Sequence, residues 1–229
     1  MKKHSLYLLF LVFPVIAVVS SCQKWKEPTE VAFYMDIEKS SALNGQLTFT
    51  GGEIVLEYFE FDGDREKGDD VFFSKDFEDG LVIPFDESMK IEGLDFVIPQ
   101  GIYKRLDIRF KTSDNMTGVT LLINGNYTYS GGGSVPVRFE IEDPQSFEDR
   151  AEEADGQSIV LDDEIYSPAK IVLDPSYWFE PVPVSSFESA DLTDIGGVNT
   201  LLISKDENEE IYNLILDRVD ETTMIIFNY

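Results

Sequence analysis

Residues 135–142 alternate without a break. Val135, Val137, Phe139 and Ile141 fall on one side, and Pro136, Arg138, Glu140 and Glu142 on the other. A period of two puts successive side chains on opposite faces of a half-buried strand, and no helix can use it. Leu106, Ile108 and Phe110 repeat the pattern against Asp107, Arg109 and Lys111. Further apolar runs rich in β-branched and aromatic residues occupy 31–37, 53–61, 71–77, 81–85, 94–98, 119–129, 158–161, 169–173, 199–204, 211–216 and 223–228. Turn signals punctuate them: Asn44-Gly45, Gly51-Gly52, Glu78-Asp79-Gly80, Pro99 followed by Gly101, and Gly131-Gly132-Gly133. The glycine triplet joins two strand patterns and so reads as a hairpin rather than a phosphate loop, because no helix pattern or Lys-Ser/Thr follows it. About a dozen short strands with little helix specify an all-β chain, an antiparallel β-sandwich. Residues 185–192 suit a single helical turn. Residues 143–156 suit either a short helix capped by Asp143 with Pro144 at its first position, or loop and irregular strand around Phe147, the latter favoured because helical apolar periodicity is missing.

The amino terminus obeys different rules. Lys2, Lys3 and His4 precede an apolar run from Leu6 to Val19 broken only by Pro14, and small residues then lead to Cys22. That is the layout of a secretory signal, too short for a stable membrane span. Val19-Ser20-Ser21-Cys22 resembles the bacterial lipobox, in which the cysteine is lipidated and becomes the first mature residue. The resemblance implies a membrane anchor at Cys22, and Gln23 in place of Asp implies sorting to the outer membrane. Expected boundaries are a signal at 1–21, a lipidated tether at 22–30 and one β-sandwich domain at 31–229, with a minor subdivision near 143–165.

Charge and composition then narrow the chemistry. The chain holds 18 Lys and Arg against 44 Asp and Glu, a formal net charge of −26. Loss of Lys2 and Lys3 with the signal makes it more acidic still. Such a surface repels nucleic acid and anionic headgroups and favours cations or basic partners. The single histidine is His4 and the single cysteine is Cys22. A mature chain beginning at Cys22 therefore has no histidine and no free thiol. Ser-His-Asp and Cys-His catalysis, zinc held by His or Cys, and internal disulfides are all excluded. The expectation is a protein that is not an enzyme. The enzymatic alternative is a glycoside hydrolase using two carboxylates.

Two segments stand out as candidate ligand sites. Asp62, Asp64, Glu66, Asp69 and Asp70 crowd residues 62–70, where several oxygens on a turned backbone suit calcium. The spacing departs from the EF-hand, with Lys67 at the position of the obligatory glycine and Phe73 at that of the bidentate glutamate, and the alternative is an acidic hairpin loop without a ligand. Residues 205–210 form a second acidic loop with the same cation reading. Tyr177, Trp178 and Phe179 lie between Pro175 and Pro181. Clustered aromatics on a stiff segment suit stacking against sugar rings, or a plug in the end of a sandwich core.

Ile98-Pro99-Gln100-Gly101-Ile102-Tyr103, Val135-Pro136-Val137-Arg138-Phe139-Glu140, Tyr177-Trp178-Phe179, and Ile203-Ser204 with Ile211-Tyr212-Asn213 occur in that order. In this the chain resembles a family of secreted bacterial lipoproteins of unknown function, found especially among Bacteroidota, with immunoglobulin-like or prealbumin-like sandwich domains. The resemblance covers about residues 31–217 and implies a β-sandwich without assigned catalytic residues. The function expected is an outer-membrane-anchored, non-catalytic binding or assembly module for a glycan, a protein or a cation. An accessory subunit of an envelope complex is the structural variant of that reading.

Overall fold

The computed structural model describes residues 28–86, 91–114, 118–164, 166–221 and 223–228. The signal at 1–21, Cys22 and the tether up to Glu27 lie outside the described residues. Pro28 to Glu30, expected in the tether, already belong to the first strand, β1 (Pro28–Ile37).

The spine is β2 (Leu47–Arg65), 19 residues long. One edge pairs with β3 (Val71–Pro84). The other pairs with β6 (Leu121–Thr128) along the first half of β2 and with β5 (Gly101–Thr112) along the second. A strand this long keeps its apolar face inward only by changing parity. Leu47 and Phe49 are buried at odd positions, Ile54 and Leu56 at even ones, and Phe59 and Phe61 at odd ones again. The register shifts lie between those groups, at Phe49/Gly51 and Leu56/Tyr58. Each extra residue turns the following side chains over, which restores burial. Gly51 and Gly52, expected as a turn, stand inside the strand at the first shift. A Cβ on Gly52 would sit 1.9 Å from the backbone oxygen of Leu122, so the close approach of β6 requires glycine there.

The large sheet continues through β7 (Ser134–Ile141), β8 (Ser146–Arg150), β10 (Ile159–Leu161), β12 (Thr193–Ile195) and β13 (Val198–Ile203). The smaller sheet has the order β4 (Asp95–Pro99), β1, β11 (Ala169–Leu173), β14 (Thr223–Phe227) and β9 (Glu152–Glu153). Most pairs are antiparallel, as the alternation predicts, but β1 with β11, β7 with β13 and β9 with β14 are parallel. The two sheets pack through aromatics. Phe33 of β1 meets Phe59 of β2 edge-on at 5.0 Å, and Phe96 of β4 stacks on Phe59 at 5.0 Å. The chain crosses between sheets at Gln100 and at Ala151, each a single residue between two strands. The turn signalled by Pro99 and Gly101 is therefore a corner of the sandwich, where the chain passes from one sheet to the other.

Three helices cover the inner face that the small sheet does not reach. Helix α1 (Pro175–Trp178) starts on Asp174, whose carboxylate accepts from the Tyr177 N–H at 3.2 Å, with proline at its first position. Helix α2 (Val184–Glu188) follows as expected. Phe179 and Phe187 seal this end against Phe49 and Tyr127, with centroids at 5.5 and 4.9 Å. Helix α3 (Glu209–Leu216) replaces the strand expected at 211–216. Ile211, Tyr212 and Ile215 are buried with helical spacing, and Glu209 and Glu210 in the first turn favour that end of the helix dipole. The second acidic loop is thus partly the start of a helix.

Candidate functional site

Among the described residues, apolar side chains stay half-buried along the margin where the two sheets meet at β3 and β4. Among the described residues β3 pairs only with β2, and β4 only with β1, so the two form facing edges of the two sheets. Strand β4 is five residues long and β3 is 14, and Gly93 just before β4 meets β3 at Lys75 and Leu81. The result is a rim of half-buried apolar side chains: Val71, Phe73, Phe77 and Leu81 from β3, and Phe96 from β4. Phe61 stacks on Phe73 at 5.1 Å and Phe73 tilts against Phe96 at 4.9 Å, which continues the core outward to solvent. Beyond them Phe72 is 64% and Val97 69% exposed. Lys75 is the only cation of β3. Its ammonium donates to the Gly93 carbonyl at 2.8 Å and lies 5.6 Å from the Phe96 ring centroid. The two strand segments expected at 71–77 and 81–85 are one strand. Opposite the single residue Glu57 it makes a four-residue excursion at 77–80, which is the break that Glu78-Asp79-Gly80 signals.

The candidate ligand sites from the sequence fare differently. Trp178 and Phe179 are fully buried (0% exposed), and Phe179 packs on Phe139 at 5.7 Å. They plug the end of the core, so no flat stacking platform forms at 177–179. Tyr177 alone reaches the surface, with its hydroxyl donating to Glu221 at 3.1 Å and its ring beneath the Arg218 guanidinium at 4.6 Å. The acidic group at 62–70 is also divided. Asp62 and Asp64 belong to β2, and Asp62 forms an ion pair with Arg105 at 3.0 Å. The Asp69 carbonyl accepts from Arg65 at 2.8 Å. Strand extension to Arg65 spreads these carboxylates along a ladder instead of around a point. Among the described residues no group of three or more His, Cys, Asp or Glu side chains could hold a metal ion.

The outer face of β2, β5 and β8 carries a charge lattice. Arg105 and Arg150 converge on Asp107, the latter at 2.9 Å, while Arg109 joins Glu60 to Glu148 at 2.8 Å. Tyr58 donates to Glu60. Burial pushes the Asp107 carboxyl upward, but Arg150 and Arg105 outweigh it and hold the group below its ordinary value. Arg109 does the same for Glu148 by hydrogen bonding. Both carboxylates stay ionised, which suits a structural lattice and denies them the role of a general acid. Desolvation raises Asp149 and Glu153. Neither lines the depressions of about 470 Å³ beside Tyr103 and Ser158 or about 510 Å³ beside Tyr58 and Asp220.

The sequence reading assigned no role to the rim. Its signal was available in residues 71–77, where apolar residues occupy consecutive as well as alternate positions. Phe72 beside Phe73 puts a large ring on each face of the strand. No protein-family model, curated protein or solved structure matches the chain.

Proposed function

We propose that this protein is a non-catalytic assembly module of the bacterial envelope, anchored to the outer membrane through lipidated Cys22, that docks another envelope protein on the rim between β3 and β4. The observation that carries this reading is the concentration of half-buried aromatics along one margin. Val71, Phe73, Phe77, Leu81 and Phe96 pack against the core and stay only half-buried, with the Lys75 side chain over Phe77 and Phe96 and Gly93 beside Leu81. An apolar surface of this kind is stabilised by a partner that removes it from water. The mature chain's lack of histidine and thiol, and the arginine-bound carboxylates of the outer face, fit a role without chemistry. The Cys22 anchor would hold β1, and with it β4, near the membrane, because only five residues separate Cys22 from Pro28.

Photo-crosslinking in intact cells tests the proposal. A benzophenone side chain at Val97 should give a discrete protein adduct that Phe72→Lys abolishes. The same group at Leu214, exposed on α3 away from the rim, should not give it. Equal labelling from both positions would remove the rim as the docking surface.

A further inference from the structure

We propose that the β3 edge accepts an extended peptide strand from a partner protein, completing the large sheet, and that the strand's side chains are apolar on one face and basic on the other. This rests on the assembly reading above and names how the rim is filled.

The register shows which backbone groups are on offer. Leu106 accepts from the Ala151 N–H, and Thr112 donates to the Gln145 carbonyl, so the even residues of this part of β5 face away from β2. Asp107, Arg109 and Lys111 therefore bond towards β2, opposite Asp62, Glu60 and Tyr58. Alternation then turns Phe59, Phe61 and Gly63 towards β3, opposite Lys75, Phe73 and Val71. The N–H and C=O groups of Phe72, Ser74 and Asp76 consequently point out of the sheet. No main-chain partner takes them among the described residues. They form a continuous template from Val71 to Asp76, about 20 Å long at the rise of a β-strand. The excursion at 77–80 ends it.

The surroundings define the incoming strand. Residues on its inner face would meet Val71, Phe73 and Phe96, and so are apolar. Those on its outer face would run beside Asp76 towards a depression of about 440 Å³ lined by Glu57, Asp76, Glu78 and Asp114 with Lys111 alone in opposition. Asp69 and Asp70 flank the other end of the template. Basic side chains complement both ends. A second copy of this chain is disfavoured, because two β3 edges in contact would bring these carboxylates together on chains of net charge −26. Strand addition supplies affinity through the backbone and specificity through alternate side chains, and this edge provides for both.

A nine-residue, end-capped peptide alternating valine and lysine is the probe, titrated into the soluble domain. Its control carries N-methyl groups on alternate residues, which keeps every charge and side chain but deletes the backbone donors. The plain peptide should bind at least about tenfold more tightly than the methylated one. It should also slow hydrogen exchange of the Phe72, Ser74 and Asp76 amides. Ser74→Pro removes one outward N–H without breaking a main-chain bond to β2, a place where edge strands tolerate proline, and gives up only the side-chain bond of Ser74 to Tyr58. It should abolish binding while the domain still unfolds cooperatively, with a melting temperature lowered by no more than a few degrees. If that variant fails to fold, the methylated peptide on the native chain still decides. Equal affinity for the two peptides, or protection away from β3, overturns the inference. If Val97 adducts persist beside that result, strand addition fails and the assembly reading stands.

Discussion

Replacing Trp178 with alanine separates a core plug from a ligand platform. The side chain is fully buried, and its neighbour Phe179 bridges Phe49, Phe139 and Phe187 at 5.5, 5.7 and 6.0 Å. Truncating a buried tryptophan costs about 3–5 kcal/mol, through lost transfer energy and the cavity left behind. For a domain of 150–250 residues each kcal/mol lowers the melting temperature by roughly 2–4 °C, so Trp178→Ala should lose about 6–20 °C. Thermal melts followed by circular dichroism read this directly. Fluorescence gives a second view, because the chain has two tryptophans, Trp25 and Trp178. In a Trp25→Phe background, emission should be blue-shifted and shielded from acrylamide until the domain unfolds. A melting temperature within about 2 °C of the parent would mean that less than 1 kcal/mol was lost, and the burial argument would fail. Ready quenching in the native state would have the same consequence.

Other perturbations follow from the same contacts. Gly52→Ala should destabilise by several kcal/mol in urea titration, since its Cβ would collide with the Leu122 carbonyl rather than with a movable side chain. Asn208 holds a left-handed conformation and donates to Leu202 at 2.7 Å and Asp191 at 3.0 Å. Asn208→Ala should cost about 1–3 kcal/mol by chemical denaturation, and Asn208→Gly should recover the backbone part of that loss. The pH dependence has two opposed parts. Asp149 and Glu153 are raised by desolvation, so their ionised forms destabilise the fold, and acidification through their raised values should increase stability. Asp107 and Glu148 are lowered, so their contribution is complete above their unfolded values and is lost as pH falls through the folded ones. Urea midpoints should therefore rise and then fall on acidification. Glu153→Gln should flatten the rise and Asp107→Asn the fall.

What the sequence disclosed and withheld has a physical pattern. Alternation marked β7 and β5, because each buries one face only and so carries a pure period of two. It placed strands in β2 without their continuity, because the bulges that preserve burial also break the period. It missed α3 because isoleucine and tyrosine suit strands by propensity, although the spacing of Ile211, Tyr212 and Ile215 is helical. Asp174-Pro175 did carry a helix-start signal for α1, beside aromatics whose pattern suits either a stacking platform or a plug in the core end. The acidic group at 62–70 looked like a cation site because sequence proximity hides the ladder that pairs Asp62 with Arg105. The rim was least legible of all. It exists because β3 has one neighbouring strand among the described residues and β4 is short, which depends on pairing between distant parts of the chain and on no local motif.

Hydrogen exchange of β3 in the isolated domain and in native membranes tests the central claim most directly. Docking on the rim requires the outward amides of Phe72, Ser74 and Asp76 to exchange rapidly in the isolated domain and to become protected in the envelope, while the amides of the β6–β7 hairpin stay unchanged. Identical exchange of β3 in both settings would contradict it.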